Sequence, residues 1–309
     1  MSLGSRRHRV VLIASAAAIF GTIFAGGVRL QPDHGRRTTP LPTEIIVRAE
    51  ETLPRATAPS PRTLRVCADP NNLPFSNSRG EGFENKLAEL MAGGLGRQVQ
   101  YYWQPQRRGF IRSTLRAGAC DVVMGMPAAS DMVLGTRAYY RSTYVFVSRR
   151  DRRLRVRSFD DPRLRRLRIG IQITGADYDN PPPAQALAAR HIVDNIRGFT
   201  VYGDYSKPYP LRGSIDAVQT GSVDLAVIWG PVAGYFGHQP GPALDIAPVP
   251  ALEDGPSIPF AFNISMAVRK GDEPLAAALN KLIAQRGRDI RRILDEYHVP
   301  RVEQKPASS

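Results

Sequence analysis

The chain has 309 residues, a formal net charge of +14, 42% hydrophobic residues and 23% charged residues. That length allows two domains, and that composition supports a packed core and excludes global disorder. Two cysteines exclude a disulfide scaffold and a four-cysteine zinc site, and the positive excess keeps nucleic acid and anionic surfaces open as partners until the charges are located.

Arg6, Arg7 and Arg9 precede an uncharged 19-residue run, 10–28. Basic residues ahead of an apolar stretch are the pattern of an export signal. The run is also just long enough to span a bilayer. Two outcomes stay open for 1–28: cleavage after Gly27, or retention as a membrane anchor. In either case the remainder is expected in the periplasm. Residues 29–62 carry Pro32, Pro40, Pro42, Pro54, Pro59 and Pro61 without a hydrophobic period, and read as a disordered linker.

The segment 64–68 (LRVCA) reads as a strand ending in a turn, Asp-Pro-Asn-Asn. Phe83, Leu87, Leu90 and Met91 are spaced for a helix over 83–91, stopped by Gly93, Gly94 and Gly96. A strand at 99–103, a helix at 107–117 and an apolar strand at 121–125 follow. Alternating strands and helices with apolar strands imply a parallel sheet with right-handed crossovers. Residues 139–147 form a further extended segment, rich in aromatic and β-branched residues. The pattern then restarts: strand 167–171, helix 184–191, strand 199–202, helix 211–220 and strand 224–229. After an extended piece at 246–249, a strand at 260–268 and helices at 274–285 and 288–297 lack partners of their own. They are expected to complete the first half. The expected organisation is therefore α/β and two-lobed, each lobe a mostly parallel sheet flanked by helices. The first lobe comprises 63–148 plus 254–300, the second 149–253, and 301–309 is a tail.

Several segments carry a family resemblance: RVCADPNNLPFSN (65–77), GEGFENKL (80–87), WQPQRRGFIRSTL (103–115), GACDVVMGM (118–126), YYRSTYVFV (139–147), RGFTVYGDY (197–205) and DLAVIWGPVAGYF (224–236). Together they resemble the type II periplasmic solute-binding proteins, family 3. More narrowly, they resemble the MoxJ/XoxJ-type solute-binding-like proteins encoded with quinoprotein alcohol dehydrogenases. The resemblance implies an exported, non-enzymatic accessory protein with a PQQ-dependent alcohol (methanol) dehydrogenase as protein partner. The alternative is a receptor delivering a small non-amino-acid solute to an ABC importer. It also implies two departures from the amino-acid receptors of the family. Those place an Arg shortly after the third strand, where this sequence has Asp131. They also place an Asp at the end of the second lobe's third strand, where it has Trp229. A site lacking both partners of a zwitterion should not hold an ordinary amino acid.

Ligands of open α/β sheets bind at the carboxyl ends of the strands. The cleft residues expected on that ground are Asp69, Asn71, Asn72, Phe75, Gln106, Arg107, Met126, Tyr139, Thr174, Asp177, Tyr178 and Trp229. Asn71 and Asn72 have an equally ordinary role in holding turns. The surplus of aromatic residues near these positions favours an apolar ligand or a protruding segment of a partner. The sequence holds no Gly-x-Ser-x-Gly elbow, no His-Glu-x-x-His and no P-loop, so neither a catalytic set, a metal nor a cofactor is expected. Glu84 and Asp177 are the cleft carboxylates on which an enzyme would depend. Each is equally a helix-start charge.

Export favours pairing of Cys67 with Cys120. Strand ends that lie flush would offset them by roughly 13 Å, beyond the ~7 Å reach of a disulfide, and the expectation falls against a bond. Residues 1–62 hold a net charge of +5, and most of the rest comes from 149–168, where ten Arg face Asp151, Asp160 and Asp161. Without a nucleic-acid motif, that stretch reads as a solvated edge or as a docking patch for an acidic surface, with Arg150, Arg152, Arg153 and Arg155 at its centre.

Overall fold

A computed structural model describes residues 61–173, 181–201, 205–250 and 259–302. The segment 1–28, nearly all of the linker, and the tail beyond 302 lie outside the described residues.

The first repeat comprises β1 (Thr63–Ala68), a minimal hairpin of β2 (Asn71–Asn72) and β3 (Ser76–Asn77), α1 (Phe83–Gly94), β4 (Gln98–Trp103), α2 (Phe110–Ser113) and β5 (Val122–Pro127). β1 lies between β4 and β5, parallel to both, with Val66 opposite Tyr101 on one side and Val122 on the other. After β6 (Leu134–Gly135) and β7 (Tyr140–Arg149), the second repeat comprises β8 (Ile169–Ile173), α3 (Pro182–Ala188), β9 (Ile196–Thr200), α4 (Gly213–Gln219) and β10 (Leu225–Trp229). Here β8 takes the central place, parallel to β9 and β10. The two halves thus share one topology. The chain closes with α5 (Gly230–Gly237), β11 (Leu244–Pro248), β12 (Ala261–Val268), α6 (Glu273–Gln285) and α7 (Gly287–Glu296). β12 pairs antiparallel with β5, and α6 and α7 pack near α1 around Phe83, Leu87, Leu279 and Leu294.

β7 joins the halves. Residues 140–143 pair with β12, while 144–148 pair with β10, and Tyr144 stands opposite Trp229. The strand order is β4-β1-β5-β12-β7-β10-β8-β9.

α1 begins where Asn85 Oδ1 accepts the N–H groups of Gly82 (3.0 Å) and Asn77 (3.1 Å). Gly82 must be glycine there, because a Cβ would lie 2.0 Å from Phe75 O. At the opposite end of the sheet, Asp121 is buried. It accepts from Arg65 Nη2 (2.6 Å), Nε (3.2 Å) and N (3.0 Å). Burial opposes ionisation of Asp121, but the Arg65 hydrogen bonds prevail and hold its carboxyl below the usual range.

Three expectations change. The helix expected at 107–117 contracts to the four residues of α2. Gly109 enters it at φ 84°, and the hydroxyls of Ser113 and Thr114 donate to the carbonyls of Gly109 and Phe110, competing with helix continuation. A helix absent from the sequence reading, α5, follows β10 directly. Three of its eight residues are glycine, which lowers helix propensity. Packing overrides that preference. A Cβ on Gly230 would meet Thr143 O at 2.5 Å, and one on Gly234 would meet His298 O at 1.9 Å. Finally, Cys67 and Cys120 form a disulfide, with Cα atoms 5.5 Å apart. The strands do not end flush: Cys120 precedes β5, and the chain folds over there as Asp121 N–H reaches Arg65 O. The bond lies in a core of Phe110, Ile111, Leu115 and Val123 on one face of the first half.

Candidate functional site

The ends of β1, β5, β8 and β10 converge on a cavity of about 410 Å³, within the range of small-molecule sites. Asp69 and Phe75 from the loop after β1, Gln106 after β4, Gly125 and Pro127 of β5, and Trp229 of β10 all line it. Tyr140, Tyr144 and Phe262 from β7 and β12 complete an aromatic wall. Trp229 stands edge-on to Tyr144 (5.3 Å between centroids) and to Phe262 (5.9 Å). The Trp229 backbone N–H donates to Gln172 Oε1 at 2.8 Å. Burial raises the Tyr144 hydroxyl to about 12.

Of the expected residues, Asp69, Asn72, Phe75, Gln106 and Trp229 line this space together. Asp69 is buried and fully engaged. It accepts from the N–H groups of Asn71 (2.8 Å) and Gln106 (2.7 Å) and from the Tyr205 hydroxyl (2.5 Å). Burial, and then the bond to Asp69, raise the Tyr205 hydroxyl above its ordinary value. This contact ties the first half to the second, as does Asn71 Nδ2 donating to Lys207 O (2.7 Å). Asn71 is thus a turn and bridging residue outside the lining, whereas Asn72 faces the cavity and donates to Gln106 Oε1 (3.1 Å).

Arg107, Met126 and Tyr139 are not among the lining residues. The Arg107 guanidinium lies 5.5 Å from the Tyr205 ring centroid, beside the Tyr205–Asp69 contact. Met126 packs towards the Cys67–Cys120 core, while Gly125 and Pro127 face the cavity, the alternation a strand imposes. Tyr139 donates to Met124 O (2.7 Å), and its neighbour Tyr140 takes the lining position. Thr174, Asp177 and Tyr178 lie outside the described residues.

Glu84 is brought in from the start of α1. Its carboxyl lies against the backbone of β5, where a Cβ on Gly125 would come 2.0 Å from Glu84 Oε1. Neither a hydrogen bond nor an ion pair of its side chain occurs among the described residues. Burial pushes its carboxyl up to about 8. Its place at the helix start, 82–84, is the signal that marks it in the sequence.

The Arg-rich stretch is more neutralised than its sequence suggests. Arg152 and Arg168 both pair with Asp224 (3.4 and 2.8 Å), Arg157 with Asp245 (3.0 Å), and Arg149 with Asp151. Arg150 donates to Leu244 O (3.3 Å). Arg153 and Arg155 are exposed and outside these pairs, each at a positive φ, near 50° and 49°.

A family model for bacterial extracellular solute-binding proteins, family 3, matches residues 64–299. The chain belongs to that family. It is 30% identical to the protein MoxJ of Methylorubrum extorquens, over 97% of this chain and 98% of the relative. Among solved structures, the periplasmic binding protein XoxJ from Methylobacterium extorquens AM1 is 33% identical, with a TM-score of 0.63 and coverage of 78% of this chain and 100% of that one. MxaJ from Methlophaga aminisulfidivorans MPT, 24% identical with a TM-score of 0.65 over 77% of this chain and 100% of that one, shares the fold. Within family 3 the chain is therefore a MoxJ/XoxJ-like solute-binding protein. Asp131 is exposed and Trp229 forms cavity wall. Neither Arg nor Lys lines the cavity among the described residues. Among those residues, too, no helix is long and apolar enough to cross a membrane.

Proposed function

We propose that the protein is an exported, non-enzymatic accessory component of a PQQ-dependent methanol or alcohol dehydrogenase system, and that it receives the dehydrogenase, or a segment of it, in the aromatic cavity. In this reading 63–148 with 254–300 is one lobe, 149–253 is the other, and β7 runs through the boundary. The observation that carries the reading is the cavity wall: Phe75, Tyr140, Tyr144, Trp229 and Phe262 line it, and neither Lys nor Arg does so among the described residues. Large, stiff aromatic side chains are the anchors of protein interfaces. The MoxJ and XoxJ relatives support the same direction. Arg153 and Arg155 supply the exposed charge that would steer an acidic partner to the second lobe.

The test is sedimentation and calorimetry with a PQQ-dependent methanol dehydrogenase from the same organism. Binding at micromolar concentration that is weakened by Trp229→Ala supports the reading. A folded protein that gives no shift and no heat with the dehydrogenase, but binds a small neutral solute tightly, points to an importer receptor instead.

A further inference from the structure

The cavity combines aromatic walls with two carboxyl groups and no facing cation among the described residues. Five aromatic side chains line it, two carboxylates enter it, and neither Lys nor Arg faces it among the described residues. The intervening segments 174–180, 202–204 and 251–258 contain neither Lys nor Arg in their sequence. The two carboxylates are not equivalent. Asp69 has its oxygens occupied by Asn71, Gln106 and Tyr205. Glu84 has no side-chain partner among the described residues, faces the cavity and is pressed against the Gly125 backbone. Ionising a carboxyl in such a place is costly unless a guest supplies the compensating charge. Faces of Trp and Tyr rings are the surfaces that attract a desolvated cation.

We propose that this cavity binds an organic cation, an ammonium or alkylammonium group, with Glu84 as its counter-ion and the rings of Tyr144, Trp229 and Phe262 as its walls. The proposal rests on the reading of this cavity as the binding site and names the chemistry of its guest. The guest is either a free small amine or the ammonium of a lysine or N-terminus on the partner's inserted segment. The space, about 410 Å³, admits either.

Charge balance follows. In the empty cavity Glu84 keeps its proton up to about pH 8. Entry of the cation expels that proton to solvent and leaves a carboxylate–ammonium pair. Asp69, the second carboxyl at the cavity, is held by Asn71, Gln106 and Tyr205. The Tyr140 and Tyr144 hydroxyls are raised above their ordinary value by burial, as is that of neighbouring Tyr139, and Gln106, Gln172 and Trp229 carry no charge.

The experiment is titration calorimetry of the full chain with choline and with choline's uncharged carbon isostere, in buffers of different ionisation heat. Choline should bind about tenfold or more tightly than the isostere, with a buffer-dependent heat reporting proton release below about pH 8. Glu84→Gln should erase that preference. Equal affinity of the wild-type protein for the two compounds, or a preference that survives in Glu84→Gln, overturns the proposal. The wild-type comparison decides even if the variant fails to fold. Dehydrogenase binding, measured separately by sedimentation, keeps the two readings apart. A dehydrogenase that binds while choline shows no advantage removes the cation site alone, and the reverse pattern removes the accessory role alone. Where both bind, displacement of the dehydrogenase by choline assigns the cation to the partner's segment. An undisturbed complex assigns it to a free amine.

Discussion

Glu84 couples the cavity to stability through its proton. Its carboxyl rises from 4.5 to about 8 on folding. The folded chain therefore holds a proton that the unfolded chain releases across that interval. The stabilisation is complete below about pH 4.5 and declines as pH rises to about 8, by a total on the order of a few kcal/mol. In Glu84→Gln that decline should be absent. Thermal melts across the interval should show wild type losing stability relative to the variant, and parallel curves would refute the burial of this carboxyl. The residue could be found in the sequence as a helix-start charge, and Asp69, Asn72, Phe75, Gln106 and Trp229 as strand-end residues. Met126 and Tyr139 were each one position from the side chains that line the cavity, Pro127 and Tyr140. A strand's two-residue period turns a one-residue error in phase into the opposite face. Arg107 is diverted to the Tyr205 ring, a partner about 100 positions away that no local pattern announces.

At the scale of elements, α5 is set by its neighbours more than by its own propensity. Gly234→Ala would drive a methyl group onto the His298 carbonyl, 1.9 Å away, and a backbone atom cannot swing aside. It should lower stability by about 1–3 kcal/mol. Gly93→Ala is its control: Gly93 sits in α1 with nothing within 4 Å, and alanine there should be neutral or stabilising by about 0.5–1 kcal/mol. Urea unfolding midpoints of the two variants should move in opposite directions or differ by at least the first amount. The elements legible in the sequence were those with strong apolar runs, such as β5 and β10, or helical spacing, such as α1 and α6. The disulfide is not legible in the sequence, because flush strand ends would hold the two cysteines apart, whereas the ladder sets Val66 against Val122 and Cys120 lies just before β5.

The whole molecule consists of two β-α-β-α-β repeats joined through one strand and strapped at the back. The strap is residues 297–302. The Tyr297 ring stacks on Tyr235 (5.7 Å) and His298 on His238 (4.0 Å), and Ser142 donates to Pro300 O (2.6 Å). The Cys67–Cys120 bond closes a loop with a sequence separation of 53. Replacing both cysteines by serine should cost about 4 kcal/mol of stability through the freed unfolded chain. A melting temperature that reductant leaves unchanged would contradict that. Charge belongs to this scale as well. The excess of +14 lies partly in residues 1–62 and partly in an Arg-rich edge already met by Asp224 and Asp245. Reversing Arg153 and Arg155 to Glu should therefore slow association with an acidic partner at low salt and leave the off-rate nearly unchanged. An unaltered on-rate would mean the edge is only solvated.

The chain contains two tryptophans, and their placement makes the protein its own optical gauge. Trp229 forms cavity wall, while Trp103 stacks on Tyr101 (4.4 Å) away from the lining. Anything entering the cavity should alter the emission of one indole and leave the other as an internal reference. Trp103→Phe should keep the guest-dependent change and Trp229→Phe should abolish it, so filling of the cavity can be followed in real time without a label.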